Sequence, residues 1–279
     1  MYDGGCLSEP GTMQRAAGEL RVAVKRFGAE TVLDELRQVG CLKARFPRRI
    51  VPGWIDIATL NTGGGVAGGD RLDLAFAAGP GAQATIAAQA AERFYRTLAT
   101  DAPSRVRTRL TVAEGAALEW LPQETILFDR SALDRRLEAD LAPDARFLCA
   151  ETIVFGRTAM GERVGQGWLR DMIRVRRGGE LLLHDAIRLD GAVDAALVRP
   201  AIAGGARVVT TMVYVAPDAA ARLDAVRTAL GTAEAGASVW NGMLVARILG
   251  AESAGVRAAV VAALSVLRDN RPLPRMWLC

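Results

Sequence analysis

Carboxylates recur along this chain at places where a cation could use them. Asp70 closes a glycine run, Glu124 sits in Glu119-Trp120-Leu121-Pro122-Gln123-Glu124, and Glu151 and Glu162 flank the glycine turn at Phe155-Gly156-Arg157. A buried carboxylate is costly unless paired, and Arg93, Arg130, Arg157 and Arg163 stand nearby in sequence as partners. One reading is a set of structural ion pairs and solvated strand edges. The other brings Asp70, Glu124, Glu151 and Glu162 together as hard oxygen ligands for a divalent cation.

The glycine run itself is open to a second chemistry. Gly63, Gly65 and Gly68 satisfy G-x-G-x-x-G, and Trp54–Leu60 before them reads as a strand. A dinucleotide site needs a helix to start inside the glycines, so that its first amides meet a pyrophosphate. Here Leu72, Leu74 and Phe76 alternate with other residues directly after the run, which is a strand period. The expected unit is strand, glycine loop, strand. It forms either a wide or bulged turn or a loop whose backbone lines a functional surface.

Nucleophilic and metal-chelating sets are hard to assemble. His184 is the single histidine, in an apolar strand-like run, and is expected to be structural; no G-x-S-x-G elbow precedes it. Cys6, Cys41, Cys149 and Cys279 are far apart and lack the spacing of a disulfide framework or zinc site.

The elements that must position these groups change character near residue 215. Before it, short alternating or β-branched runs recur: 20–24, 84–87, 106–112, 137–141, 147–149, 152–155 and 172–175. Their separators are turn chemistry, at Gly79-Pro80-Gly81, Glu114-Gly115, Pro143-Asp144 and Gly178-Gly179. Strands this close leave no room for crossover helices, so a sheet stack with recurring hairpins or coils is expected. Beyond 215 the period turns helical. One helix opens behind Pro217 and ends at Gly231, with Leu223, Val226 and Leu230 on one face. A second spans about 254–268 with Val256, Val260, Leu264 and Leu267 in line.

Composition sets the bounds. A chain of 279 residues buries a real core. No apolar run is long enough to span a membrane, and the first residues carry no secretory pattern, so a cytoplasmic protein is expected. The net charge of +4 comes with arginines spread along the chain rather than in one dense basic stripe, which favours a protein partner over nucleic acid.

Five ordered motifs together resemble the urease accessory protein UreD (UreH) family. They are Leu60–Asp70, Gln89–Arg96, Glu119–Phe128, the Glu151–Glu162 stretch and Pro274-Arg275-Met276-Trp277. The similarity runs from about residue 18 to 277. It implies a mainly β fold, a β-helix-like stack of many short strands with about two C-terminal helices. The expected layout is a flexible segment over 1–17 and one domain over 18–279, β-rich to 215 and helical over 216–270.

The resemblance also implies a non-catalytic maturation chaperone. It would bind the urease apoprotein and a helical UreF-like protein, and reach a UreG-like GTPase through the complex. The resemblance further implies no tightly bound cofactor, with nickel in transit through an internal polar passage. Carried over by motif, Asp70, Glu92, Glu124, Glu151 and Glu162 are the candidates for lining or supporting that passage. Two other classes stay open on the residues alone: a nucleotide-dependent enzyme using Gly63–Gly69, and a β-helical carbohydrate-active enzyme with paired carboxylates.

Overall fold

The computed structural model describes residues 15–157 and 160–278. The expected flexible segment over 1–17 lies mostly outside the described residues, as does Cys279. Strand β1 (Ala17–Phe27) pairs antiparallel with β2 (Glu30–Gly40), and β3 (Leu42–Arg45) with β4 (Trp54–Asn61). From β4 the chain alternates between two sheets. β5 (Arg71–Ala78), β8 (Ser104–Val112), β11 (Ala132–Leu141) and β13 (Gly167–Arg177) enter one; β6 (Gln83–Ala88), β9 (Ala117–Leu121) and β12 (Arg146–Phe155) join β4 in the other. Each of these strands runs parallel to the preceding one of its sheet. The result is a two-sided coil, mainly β and β-helix-like.

The turn chemistry explains why the segments coil rather than fold back as hairpins. Ala78-Gly79-Pro80-Gly81-Ala82, Ala113-Glu114-Gly115-Ala116 and Ala142-Pro143-Asp144-Ala145 each carry the chain from the first sheet to the second. They stack on one another: the Gly81 amide donates to the Glu114 carbonyl at 2.9 Å, and the Gly115 amide to Asp144 Oδ2 at 3.0 Å. Alanine at both ends of each turn lets successive coils sit at strand spacing. At the opposite rim two short strands, β7 (Glu92–Phe94) and β10 (Thr125–Leu127), lie parallel beside the end of β12.

The first sheet is completed by β14 (Glu180–Gly191), antiparallel to β13. A short helix α1 (Val193–Val198) follows, then β15 (Val208–Val215), α2 (Ala219–Leu230), a hairpin of β16 (Glu234–Trp240) and β17 (Met243–Gly250), and α3 (Ser253–Leu267). Both expected C-terminal helices form within a residue or two of their expected bounds. Gly231, at φ 57°, ends α2, and Asp269 and Asn270, at φ 52° and 56°, end α3. The hairpin between them lies inside the stretch read as helical, and β12 is one strand where the sequence suggested two. His184 is exposed on the edge strand β14.

Inward residues of the two sheets, including Leu20, Phe76, Leu110, Leu137, Ile57, Ile86 and Phe147, form the core between them. A second apolar layer lies outside the second sheet, where Val256, Val260 and Leu264 of α3 and Val226 of α2 cover Leu148, Met212 and Ile248. That covering lets β12 be buried on both faces.

Candidate functional site

The glycine loop folds onto a tyrosine, not around a ligand phosphate. No helix begins between Gly63 and Gly69; Arg71 starts β5 directly. Gly65 sits at φ 138°, and a Cβ there would lie 2.4 Å from the Tyr95 ring. Tyr95 donates its hydroxyl to the Gly64 carbonyl at 2.7 Å, while Val66 exchanges backbone hydrogen bonds with the Arg93–Tyr95 segment. Glycine is required here for close approach. Asp70 locks the loop: its Oδ2 accepts from the Ala67 amide and its Oδ1 from the Ala16 amide, both at 2.8 Å.

Beneath this loop a cavity of about 210 Å³ opens between the two sheets. Asn61, Gly64, Gly65 and Glu92 line its mouth, and Trp120, Thr125, Arg135 and Glu151 its depth. Glu92 reaches it from β7. Asn61 Nδ2 lies 3.2 and 3.1 Å from the two Glu92 oxygens, and the same amide group fixes the loop through Gly65 and Gly63. Burial pushes the Glu92 carboxyl up to about 7, with Asn61 and the backbone amide pulling the other way. Its charge therefore changes around neutral pH.

Glu151 lies deeper, on β12. Trp120 Nε1 donates to its Oε1 at 2.8 Å. Arg135 donates to both oxygens of Asp171, at 2.7 and 2.8 Å, and through Nη1 to Thr125 Oγ1 at 2.8 Å. Its Nη2 also comes within 3.0 Å of Glu151 Oε2. Glu151 Oε2 is thus a buried carboxylate oxygen in charge contact with Arg135 but without a well-directed hydrogen bond. Two carboxylates share one guanidinium, which leaves the cavity acidic. Burial raises the Glu151 pKa, and Arg135 opposes that shift. Such a cavity can accept a hydrated cation or donor water without enclosing it.

The structure thus brings two of the five sequence candidates, Glu92 and Glu151, into one cavity and places Asp70 as the clasp of the loop at its mouth. Glu124 lies beside it, 2.9 Å from Arg257 Nη1. Arg257 also donates to the Trp277 carbonyl and stacks over the Trp277 ring, while Gln123 and Leu121 bind Met276 and Trp277. The C-terminal proline-arginine-methionine-tryptophan motif is therefore anchored on the Glu119–Glu124 motif. Glu162 is on the surface, hydrogen-bonded by Arg157 Nε at 2.7 Å, which holds its carboxyl below the usual range. Arg157 in turn stacks over Phe128, which meets Tyr95 edge-on.

Asn61, Trp120, Arg135 and Asp171 were not singled out from sequence, although they shape the cavity. A signal existed for two of them. Arg135 falls on the parity of Leu133 and Leu137, and Asp171 on that of Leu169 and Ile173, so both are charged residues at inward positions. Among the described residues, no group of three or more His, Cys, Asp and Glu side chains is placed to hold a metal ion.

The family model for the UreD urease accessory protein matches residues 16–278. The chain is 47% identical over 268 residues to a urease accessory protein UreD of Xanthobacter autotrophicus, covering 95% of this chain and 90% of that one. It is 45% identical over 279 residues to the UreD of a Methylobacterium species, covering 96% and 97%. A protein named urease accessory protein UreD 2, from Methylorubrum populi, is 45% identical over 272 residues, 95% of this chain and 91% of its own.

Proposed function

This chain belongs to the UreD family of urease accessory proteins, non-catalytic factors in urease maturation, and from that premise we propose that it hands nickel to the urease apoprotein in the cytoplasm through the cavity between its sheets. In this reading it binds the urease apoprotein subunits and a UreF-like protein, and meets a UreG-like GTPase through that complex. The observation that carries the reading is Glu151 Oε2, a buried carboxylate oxygen without a directed hydrogen bond, in a cavity whose mouth holds Glu92.

Transit needs weak, exchangeable oxygen contacts. A closed Cys and His set would retain the ion. Glu92 offers the first carboxylate, ionised above about pH 7. Glu151 offers the second, with Arg135 preventing two ionised carboxylates from forming a tight chelate. Asp70 supports the passage by fixing the loop at its mouth, Glu124 by anchoring the C-terminal motif, and Glu162 by holding Arg157 against the aromatic pair beside the loop.

The test is reconstitution. The chain is co-purified with urease apoprotein and the UreF-like protein, then supplied with nickel and the UreG-like GTPase. Glu92→Gln combined with Glu151→Gln should leave the complex intact and lower urease activation at least about tenfold, the effect of removing a charged oxygen ligand. Full activation by that variant would overturn the passage, and failure of the wild-type complex to form would overturn the scaffold role.

A further inference from the structure

The outer face of the first sheet carries an uncovered arginine row. Arg71, Arg105, Asp134, Arg170 and Arg188 are register neighbours across β5, β8, β11, β13 and β14. Strands lie about 4.8 Å apart, so the row spans about 20 Å. All four arginines are exposed, and each follows or precedes an inward leucine or valine that fixes its direction. Asp134, the one carboxylate in the row, is taken by Arg107 of the next row at 2.5 Å. Among the described residues, the side chains of Arg71, Arg105, Arg170 and Arg188 make no ion pair or hydrogen bond.

Like charges side by side on one sheet face are destabilising in the free chain. Arg71 beside Arg105, and Arg170 beside Arg188, carry that cost without internal compensation. Among the described residues no helix covers this face; α2 and α3 both pack on the other sheet. Arginine is the side chain whose planar fork pairs with carboxylates at interfaces.

We infer that this row is a docking surface for a carboxylate-rich face of the urease apoprotein, an inference that rests on the function proposed above. Position supports it. Arg71 directly follows the glycine loop, and the row runs along the strand ends nearest the rim that bears the cavity mouth. A partner held here is held beside that mouth. A second copy of this chain would bring like charge to like charge. A nucleic-acid backbone fits poorly, because it presents a continuous line of phosphates, whereas Asp73, Asp134, Glu138 and Asp140 interrupt the basic surface; a protein face can set carboxylates opposite the arginine row alone.

The test uses purified urease apoprotein as the probe, with binding measured at about 50 and 200 mM salt, where screening of exposed charges differs strongly. Wild-type binding should weaken as salt rises. Arg105→Glu with Arg170→Glu should weaken it at least about tenfold at low salt, and Arg105→Lys with Arg170→Lys should keep most of it. Should the reversed pair fail to fold, judged by circular dichroism, Arg105→Gln with Arg170→Gln should show a smaller loss in the same direction. Unchanged binding in the reversed or neutral pair overturns the docking surface and leaves the urease reading standing. Tighter, arginine-dependent binding of a duplex DNA than of apoprotein overturns it in favour of nucleic acid. Absence of apoprotein binding by the wild type overturns both readings together.

Discussion

The outward faces of the two sheets meet opposite fates on the same alternating backbone. On the second sheet the outward residues Leu148, Ala150, Met212, Tyr214, Leu244 and Ala246 are apolar enough to bury, and α2, α3 and the C-terminal Met276 and Trp277 cover them. On the first sheet the corresponding positions are Arg105, Arg107, Asp134, Arg136, Glu138 and Arg170, and among the described residues no helix covers them. One face is closed by folding and the other is left for a partner. The covering is fastened by a buried polar clamp. Glu119 accepts from Thr85 at 2.7 Å, from Arg268 at 3.0 Å and from Arg271, and Arg268 also holds the Arg271 and Pro272 carbonyls.

The largest effect is expected where that clamp is cut. Arg268→Met leaves Glu119 partly unpaired in the interior and should cost about 3–5 kcal/mol in urea unfolding. A cost below about 1 kcal/mol would mean that the covering does not depend on the clamp. Next comes the apolar seam itself: Leu264→Ala, at a fully buried position, should cost about 2–5 kcal/mol by the same measurement.

The cavity between the sheets should show a pH signature. Because the folded Glu92 carboxyl is raised to about 7 from 4.5, the folded state holds more protons than the unfolded one between those values. The contribution of Glu92 to stability is therefore greatest below about pH 4.5 and is lost as pH rises through about 7. Glu92→Gln should remove this loss, gaining up to about 3 kcal/mol over wild type at pH 8 and little at pH 5. Equal melting shifts at both pH values would break that assignment. The smallest effect belongs to the open face. Glu138 pairs with Arg174 there, both partly exposed, and Glu138→Gln should change stability by about 1 kcal/mol or less. A loss as large as that of Arg268→Met would erase the contrast between the faces.

Much of this architecture was legible in the sequence. The alternation Leu72, Leu74, Phe76 placed a strand after the glycines, the turn residues between the short runs pointed to stacked coils or hairpins, and Gly231 marked the end of the first C-terminal helix. The hairpin β16–β17 was not legible, because Glu234-Ala235-Gly236-Ala237-Ser238 is made mostly of small residues, is exposed except at Ala237, and has little strand character. β2 lacked a clean alternation because most of it faces solvent on both sides, with Leu33, Leu36 and Val39 exposed.

The candidate site divides similarly. Motif resemblance named Glu92 and Glu151 but not that they share a cavity. That follows from the parallel register in which Thr125 lies between Glu92 and Ile153, a property of the coil that no local pattern encodes. Arg135 and Asp171 were missed because charged residues in strands are ordinarily read as solvent-facing; only their parity with Leu133 and Leu169 gives them away.

The most direct test of nickel passage is to fill the cavity without changing its charges. Ala88 lines it from β6, so Ala88→Trp places a ring in a space of about 210 Å³. Nickel bound per urease active site is then measured after activation with the wild-type chain or with Ala88→Trp, each in an intact complex. Passage through the cavity predicts equal complex formation and strongly reduced nickel with Ala88→Trp. Equal nickel loading from both would contradict it.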